Sequence, residues 1–304
     1  MENKTDTRAS QVSVLLAVRP LSFFVYPTGG SSHRREFFCV WQFPFYTNDD
    51  TLLDGEKVPM PSPHPFLTAE WRYLIMLNYE IDPTVLEPLL PAGTVLDLWQ
   101  GKALASVVGF MFQRTRVLGI PPPFHTRFEE VNLRFYVTRE AEEEQRRGVV
   151  FVKEIVPKPW IAQTACVLYG EPYVALPMRH TLEANHGALS PGGLVEYSWR
   201  FRGRLNRLGG LAYGDPQPLQ ESSEEAFITE HYWGYTRLGQ NRTGEYEVVH
   251  PRWRAWRVDQ PYLLCDVKTL YGRQFEEALG GRPRSAFLAE GSPITVRVGA
   301  GFRI

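Results

Sequence analysis

The chain has 304 residues, 43% hydrophobic and 22% charged, with a formal net charge of −1. That length and balance allow a sizeable buried core and exclude a charge-rich disordered chain, and the near-neutral charge gives no general pull toward nucleic acid or an anionic membrane. Cys39, Cys166 and Cys265 lie far apart in neither a disulfide framework nor a zinc spacing, so a reducing, cytoplasmic setting is the expectation.

Residues 1–62 read as an N-terminal extension. Its apolar run Val12–Phe24 is interrupted by Arg19-Pro20 and is too short to span a bilayer, and Thr28–Arg35 and Asn48–Asp50 read as loop. Met60 is a candidate translation start, with residues 63–304 forming a single domain. Trp71–Glu80 is a strand candidate. Asp82-Pro83 opens a short helix, with the aspartate as N-cap and the proline at the first helical position. Thr94–Trp99 and Lys102–Phe112 read as a strand pair around Gln100-Gly101, and residues 128–137 as a further strand. Arg139–Arg147 is a charged turn from which Gly148–Val156 returns to complete a hairpin.

Pro159 begins a helix expected to reach Tyr169, before Gly170. Tyr173–His180 and Tyr197–Arg204 read as extended. Ser222-Ser223-Glu224-Glu225 caps a short helix that leads into His231–Thr236, and Glu245–His250 pairs back after a turn at Gly239–Gly244. Leu263–Leu270 reads as a strand, Tyr271–Leu279 as a helix, and Ser285–Ala289 with Pro293–Val298 as a closing hairpin. Strands outnumber helices and most connections are short. The fold class is therefore α+β, β-rich and mostly antiparallel, with a few helices at its ends.

The strand at 128–137 is the most informative segment. Val131, Leu133, Phe135 and Val137 share one face; Glu130, Asn132, Arg134 and Tyr136 share the other. Such a strand either has one wet side or lines a polar cavity. In a cavity, Arg134 would grip a substrate carboxylate and Glu130 would orient it or accept a proton; otherwise these residues form a cross-strand polar network. Glu154 shares a face with Val150, Val152 and Val156, which suits either a general acid or base with a raised pKa or an ion pair with Arg134. His231, Trp233 and Tyr235 lie on one face of their strand, the histidine as either a proton shuttle or a packed residue and the two rings as candidate ligand contacts. Tyr169 and Tyr173 are cavity or core phenols. Arg200, Arg202 and Arg204 alternate to give one basic face, most simply a solvated one. With no nucleotide fingerprint, phosphate loop or metal spacing, neither cofactor nor metal is expected.

The runs Pro65-Phe66-Leu67-Thr68-Ala69-Glu70-Trp71-Arg72, Leu77-Asn78-Tyr79, Glu129-Glu130-Val131-Asn132-Leu133-Arg134, Glu171-Pro172-Tyr173, Glu230-His231-Tyr232-Trp233-Gly234-Tyr235 and Glu290-Gly291-Ser292-Pro293 resemble the bacterial YqjF-like family (domain of unknown function 2071). The resemblance covers about residues 63–300 and leaves out the N-terminal segment. The family is grouped with the acetoacetate decarboxylase-like superfamily. That implies a cone-like β-barrel with a small cavity but does not imply an activity. The superfamily's namesake uses a Schiff-base lysine whose pKa is lowered by a cationic neighbour. Lys153-Glu154 and Pro157-Lys158 lie nearest to its motif, which makes Lys158 the imine candidate. The spacing here is shorter, and Pro159 replaces the second lysine. The resemblance and the residues together lead to an expected small, anionic organic (oxo) acid ligand, with decarboxylase, aldolase or dehydratase-type chemistry. The alternative is a non-catalytic binding or sensing protein on the same fold. Neither nucleic acid nor membrane is an expected partner, and a homo-oligomer remains open.

Overall fold

Two-residue alternation of apolar and polar side chains carries most of the chain into strands. The computed structural model describes residues 65–141, 144–159, 161, 170–185, 188–298 and 302–303. The expectations on residues 1–62 and Met60, and on the helix running to Tyr169, fall outside the described residues. The strands in chain order are β1 (Pro65–Glu80), β2 (Val95–Leu96), β3 (Leu104–Val117), β4 (Phe128–Glu140), β5 (Gln145–Val156), β6 (Tyr173–Ala175), β7 (Met178–Leu182), β8 (Ala184–Asn185), β9 (Ala188–Leu189), β10 (Leu194–Phe201), β11 (Arg204–Pro218), β12 (Trp233–Arg237), β13 (Arg242–Val249), β14 (Arg254–Leu264), β15 (Ser285–Val298) and β16 (Phe302–Arg303).

Seven of these close on themselves. The ladder runs β13-β12-β5-β4-β3-β1-β15, and β15 pairs again with β13. All these pairings are antiparallel except β12 with β5. The pattern is more than a simple closed ring, because β14, β11, β10 and β7 continue from β15 as a branch. Apolar side chains fall into two clusters. One joins Val131, Leu133 and Phe135 of β4 to Tyr197, Trp199 and Leu208 of the branch. It therefore fills the space between the ring's outer face and the covering sheet. The other takes Met76, Val108, Tyr136, Val248 and Ile294 from the opposite faces of ring strands. This second face is the inner one.

Close approaches explain two glycines. A Cβ on Gly109 of β3 would meet the Tyr197 ring at 2.6 Å, so the covering sheet lies directly on that strand. Gly291 has φ +74°, and a Cβ there would meet the Trp71 carbonyl oxygen at 2.0 Å. It bends β15 without ending it, since β15 stays paired with β1 on both sides of Gly291. The expected closing hairpin is thus one strand. Three other expectations change. β2 pairs with β4, and only a bridge at Trp99–Lys102 links the segments expected to form a hairpin. Tyr197–Arg204 is interrupted by a turn at Arg202-Gly203 between β10 and β11, so Arg200, Arg202 and Arg204 do not share one strand face. Strand β14 stops at Leu264, and Val267–Leu270 is helical because the Asp266 carboxylate accepts from the Thr269 N–H.

Two other short helices begin as their sequences indicate. Asp82 Oδ1 accepts from the Thr84 N–H at 2.9 Å and starts Pro83–Leu86. Ser223 Oγ accepts from the Ala226 N–H at 3.1 Å and starts Glu224–Thr229. No described helix is long and apolar enough to cross a membrane.

Candidate functional site

Strand alternation places Glu130, Asn132, Arg134 and Tyr136 in a row on the inner face of β4, with successive members about 7 Å apart. The row is buried. Glu130 and Asn132 are each 2% exposed and Tyr136 1%. Asn132 lies opposite Glu154 of β5, and Arg134 opposite Phe151. The register slips between those pairs, which sets Glu154 on the inner side with Val156, whereas Val150 belongs to the outer cluster. The uniform face expected for Glu154 is therefore broken, and the register gives it Asn132, not Arg134, as its cross-strand neighbour. On its other side Glu154 lies beside Tyr173 of β6.

These groups form a cluster of carboxyls and phenols. Asn132 Nδ2 donates to Glu130 Oε1 at 2.9 Å, and Tyr173 Oη donates to Glu130 Oε2 at 3.2 Å. Glu171, just before β6, is also buried and is hydrogen-bonded to Tyr246 of β13. Burial pushes Glu130 up to about 7, against the opposing pull of Asn132, Tyr173 and Arg134. Burial pushes Glu171 up to about 8; Tyr246 opposes this, and the nearby Glu130 adds to it. Burial, then the Glu130 and Glu154 charges, also raises the Tyr173 phenol. Two carboxyls with proton affinities near neutrality, close enough to influence each other, can donate and accept protons within the physiological range.

Farther along β4 the Arg134 guanidinium donates to the Ile228 carbonyl at 3.5 Å and lies 5.7 Å from the Tyr136 ring centroid. The Tyr136 hydroxyl is 2.6 Å from Ser106 Oγ, which donates to Asn78 Oδ1 at 2.6 Å. Asn78 Nδ2 donates to Ser285 Oγ at 2.9 Å, and Ser285 donates to Glu224. A polar chain therefore ties the inner face of β4 to the helix Glu224–Thr229. His231 is buried beside this chain, its ring 4.8 Å from that of Tyr136, and its Nε2 is 3.0 Å from Asp97 Oδ2.

Other expected site residues lie elsewhere. Tyr235 is buried in the outer cluster, and Trp233 packs against that cluster with the Arg146 guanidinium 4.1 Å from its ring centroid. Their strand points away from the carboxyls, so only His231 of that trio reaches the inner side. Lys158 is half-buried in the turn after β5. Lys153 faces outward, where its ammonium donates to the Leu270 carbonyl. Tyr169 is outside the described residues. Tyr246 and Asp97 escaped the sequence reading, and Glu171 entered it only within a family-like run, without a site role. Glu171 stands two residues before Tyr173, so a carboxylate beside a selected phenol was the available signal. Among the described residues, no three His, Cys, Asp or Glu side chains group as a metal site.

Comparison with known proteins agrees with this architecture. The uncharacterized protein YqjF of Bacillus subtilis (strain 168) is 23% identical over 227 residues, which cover 73% of this chain and 88% of that protein. An acetoacetate decarboxylase-like enzyme from Sphingomonas wittichii RW1 superposes with a TM-score of 0.56 at 17% identity, over 79% of this chain and 94% of that one. The enduracididine biosynthesis enzyme MppR, solved in complex with pyruvate, gives a TM-score of 0.54 at 15% identity, over 81% and 93%. At these identities the solved structures establish the fold, which is acetoacetate decarboxylase-like, β-rich and of the α+β class. The model of DUF2071, described as an uncharacterized conserved protein, matches residues 68–293, and the chain belongs to that family.

Proposed function

We propose that the inner face of the strand ring binds a small organic acid and moves protons on it, in lyase-like chemistry that uses carboxyl groups and no protein imine. Arg134 anchors the acid's carboxylate, and Glu130 and Glu171 supply and accept the proton. Asn132, Tyr173 and Glu154 hold those carboxyls in place. The observation that carries this reading is the pair of buried carboxyls, raised to about 7 and about 8, on the same inner face as a guanidinium. Burying such groups is unfavourable, and a packed apolar interior would serve stability better. Three of the described lysines do not reach the carboxyls, since Lys102 pairs with Glu80 at 2.7 Å, Lys158 sits in a turn and Lys268 is exposed; Lys153, whose proton affinity burial and then the Arg202 charge lower, faces outward opposite Leu133, away from them. A relative of the same fold binds pyruvate, which makes small oxo acids the first ligands to try.

The test combines calorimetry, a turnover screen on pyruvate and acetoacetate, and borohydride trapping read by peptide mapping. Saturable binding is expected, weakened about tenfold to a hundredfold in Arg134→Met, with no trapped adduct. An adduct on Lys158 or Lys153 would establish imine chemistry. Unchanged binding in Arg134→Met would remove the anchor, and binding without turnover of any acid would leave a non-catalytic binding protein.

A further inference from the structure

Two buried polar atoms on the inner side, Arg134 Nε and His231 Nδ1, have no hydrogen-bond partner among the described residues. The first can only donate, and the character of the second follows from its neighbours. Asp97 Oδ2 accepts from Arg147 Nε at 2.7 Å and lies 3.0 Å from His231 Nε2. The Asp97 backbone N–H donates to the Tyr136 carbonyl at 3.0 Å, which fixes this carboxylate against β4. Burial pushes Asp97 up, but its hydrogen bonds with His231 and Arg147 outweigh that and hold it below the usual carboxylate range. An ionised carboxylate only accepts, so Nε2 carries the proton and Nδ1 presents a lone pair directed away from Asp97.

The groups facing His231 are Asp97 from the segment after β2, Arg147 from β5, Arg134 and Tyr136 from β4, and Phe227, whose ring centroid is 5.1 Å away. Burial holds the imidazole's proton affinity down to about 4 against the pull of Asp97, and the Arg147 and Arg134 charges assist burial. The ring is therefore neutral across the physiological range. Arg134 and His231 both flank the Tyr136 ring, at 5.7 Å and 4.8 Å. The carbonyl that accepts from Arg134 belongs to Ile228, three residues before His231.

We propose that Arg134 and His231 form a two-ended subsite for a hydroxy acid, with the carboxylate on the guanidinium and the hydroxyl donating to His231 Nδ1. This rests on the organic-acid reading above and narrows it to acids that carry a hydroxyl donor. An acid without the hydroxyl leaves Nδ1 buried and unsatisfied, and a site of this kind discriminates strongly against such a ligand. Asp97 is a positioning residue: it selects the tautomer that bares Nδ1.

Matched acids provide the test: lactate against propionate, and 3-hydroxybutyrate against butyrate, by calorimetry at pH 7 on the full chain. At least one hydroxy acid is expected to bind about tenfold or more tighter than its plain partner. The preference should vanish in His231→Phe. Nitrogen-15 NMR of histidine-labelled protein should show Nε2 protonated and Nδ1 bare, with the Nδ1 resonance moving on addition of the preferred acid. In Asp97→Asn the tautomer balance should shift and the preference should fall. Plain and hydroxy acids binding equally, with Arg134 still required, would overturn the subsite and leave the anchor standing. A protonated Nδ1 in the unaltered protein, or a preference that survives His231→Phe, would also overturn it. Binding of no acid at all would remove both this inference and the reading beneath it.

Discussion

The two faces of β4 are both largely buried and chemically opposite. Outward, Val131, Leu133, Phe135 and Val137 are fully buried in the cluster that the branch sheet and short helices complete. Inward, Glu130, Asn132 and Tyr136 are almost as inaccessible, yet they carry a carboxyl, an amide and a phenol. Alternation on a strand is commonly read as one dry and one wet side. Here the closing of the ladder through β13 and β15 makes the polar side a second interior. Apolar atoms on the outer face gain from leaving water. Polar atoms on the inner face are stable only through one another, or through a ligand.

Substitutions on the two faces should therefore differ in size and in pH dependence. Phe135→Ala on the outer face is expected to cost about 3–5 kcal/mol of unfolding free energy, largely independent of pH. Chemical denaturation measures this, and a loss below about 1 kcal/mol would mean that the covering sheet does not pack as described. The inner face responds to protons instead. Glu130 and Glu171 have folded values of about 7 and about 8 against 4.5, so between those limits the native state binds more protons than the unfolded chain. Their contribution is greatest at low pH and is lost as pH rises through the folded values. His231 works in the other direction, with about 4 in the fold against 6.5, and its effect is confined to the range below 6.5. From pH 6.5 to 8 the carboxyls dominate and stability should fall, by at most about 1.4 kcal/mol per pH unit for each proton. Glu171→Gln should flatten that decline by up to ~2 kcal/mol. A flat profile in the unaltered protein would mean that both carboxyls ionise normally.

The inner face was legible where chemistry and local geometry coincide. The β4 alternation, the β4–β5 hairpin, the Asp82 and Ser223 caps and the grouping of Glu130, Asn132 and Arg134 all follow from residues close in sequence. The losses have physical causes. One extra residue near Val152 changes the company Glu154 keeps, and nothing in Val-Phe-Val-Lys-Glu announces a bulge. Glu290-Gly291-Ser292 reads as a turn, yet the glycine serves a close approach to Trp71 inside a continuous strand. His231, Trp233 and Tyr235 share one face by alternation, yet the strand begins only at Trp233, so His231 turns inward while the two rings face outward; which face of β12 looks inward depends on its parallel pairing with β5. Asp97 sits in Leu-Asp-Leu-Trp without any neighbouring sign of its partners, Arg147 and His231, which are 50 and 134 residues away.

The smallest expected effect probes how the inner face is held in place. Ser223 caps Glu224–Thr229 from the protein's periphery, and Ser223→Ala should cost ~1 kcal/mol through the lost bond to the Ala226 N–H. That helix also provides the Ile228 carbonyl that receives Arg134, and Glu224 ends the polar chain running from Tyr136 through Ser106, Asn78 and Ser285. Loosening its first turn leaves the guanidinium charge intact and weakens only its support. Organic-acid affinity in Ser223→Ala should therefore drop only a few-fold, well short of the about tenfold to hundredfold loss in Arg134→Met. Calorimetry on both variants makes the comparison. Equal losses would mean that the placement of the helix, and not the charge on Arg134, governs how the inner face holds an acid.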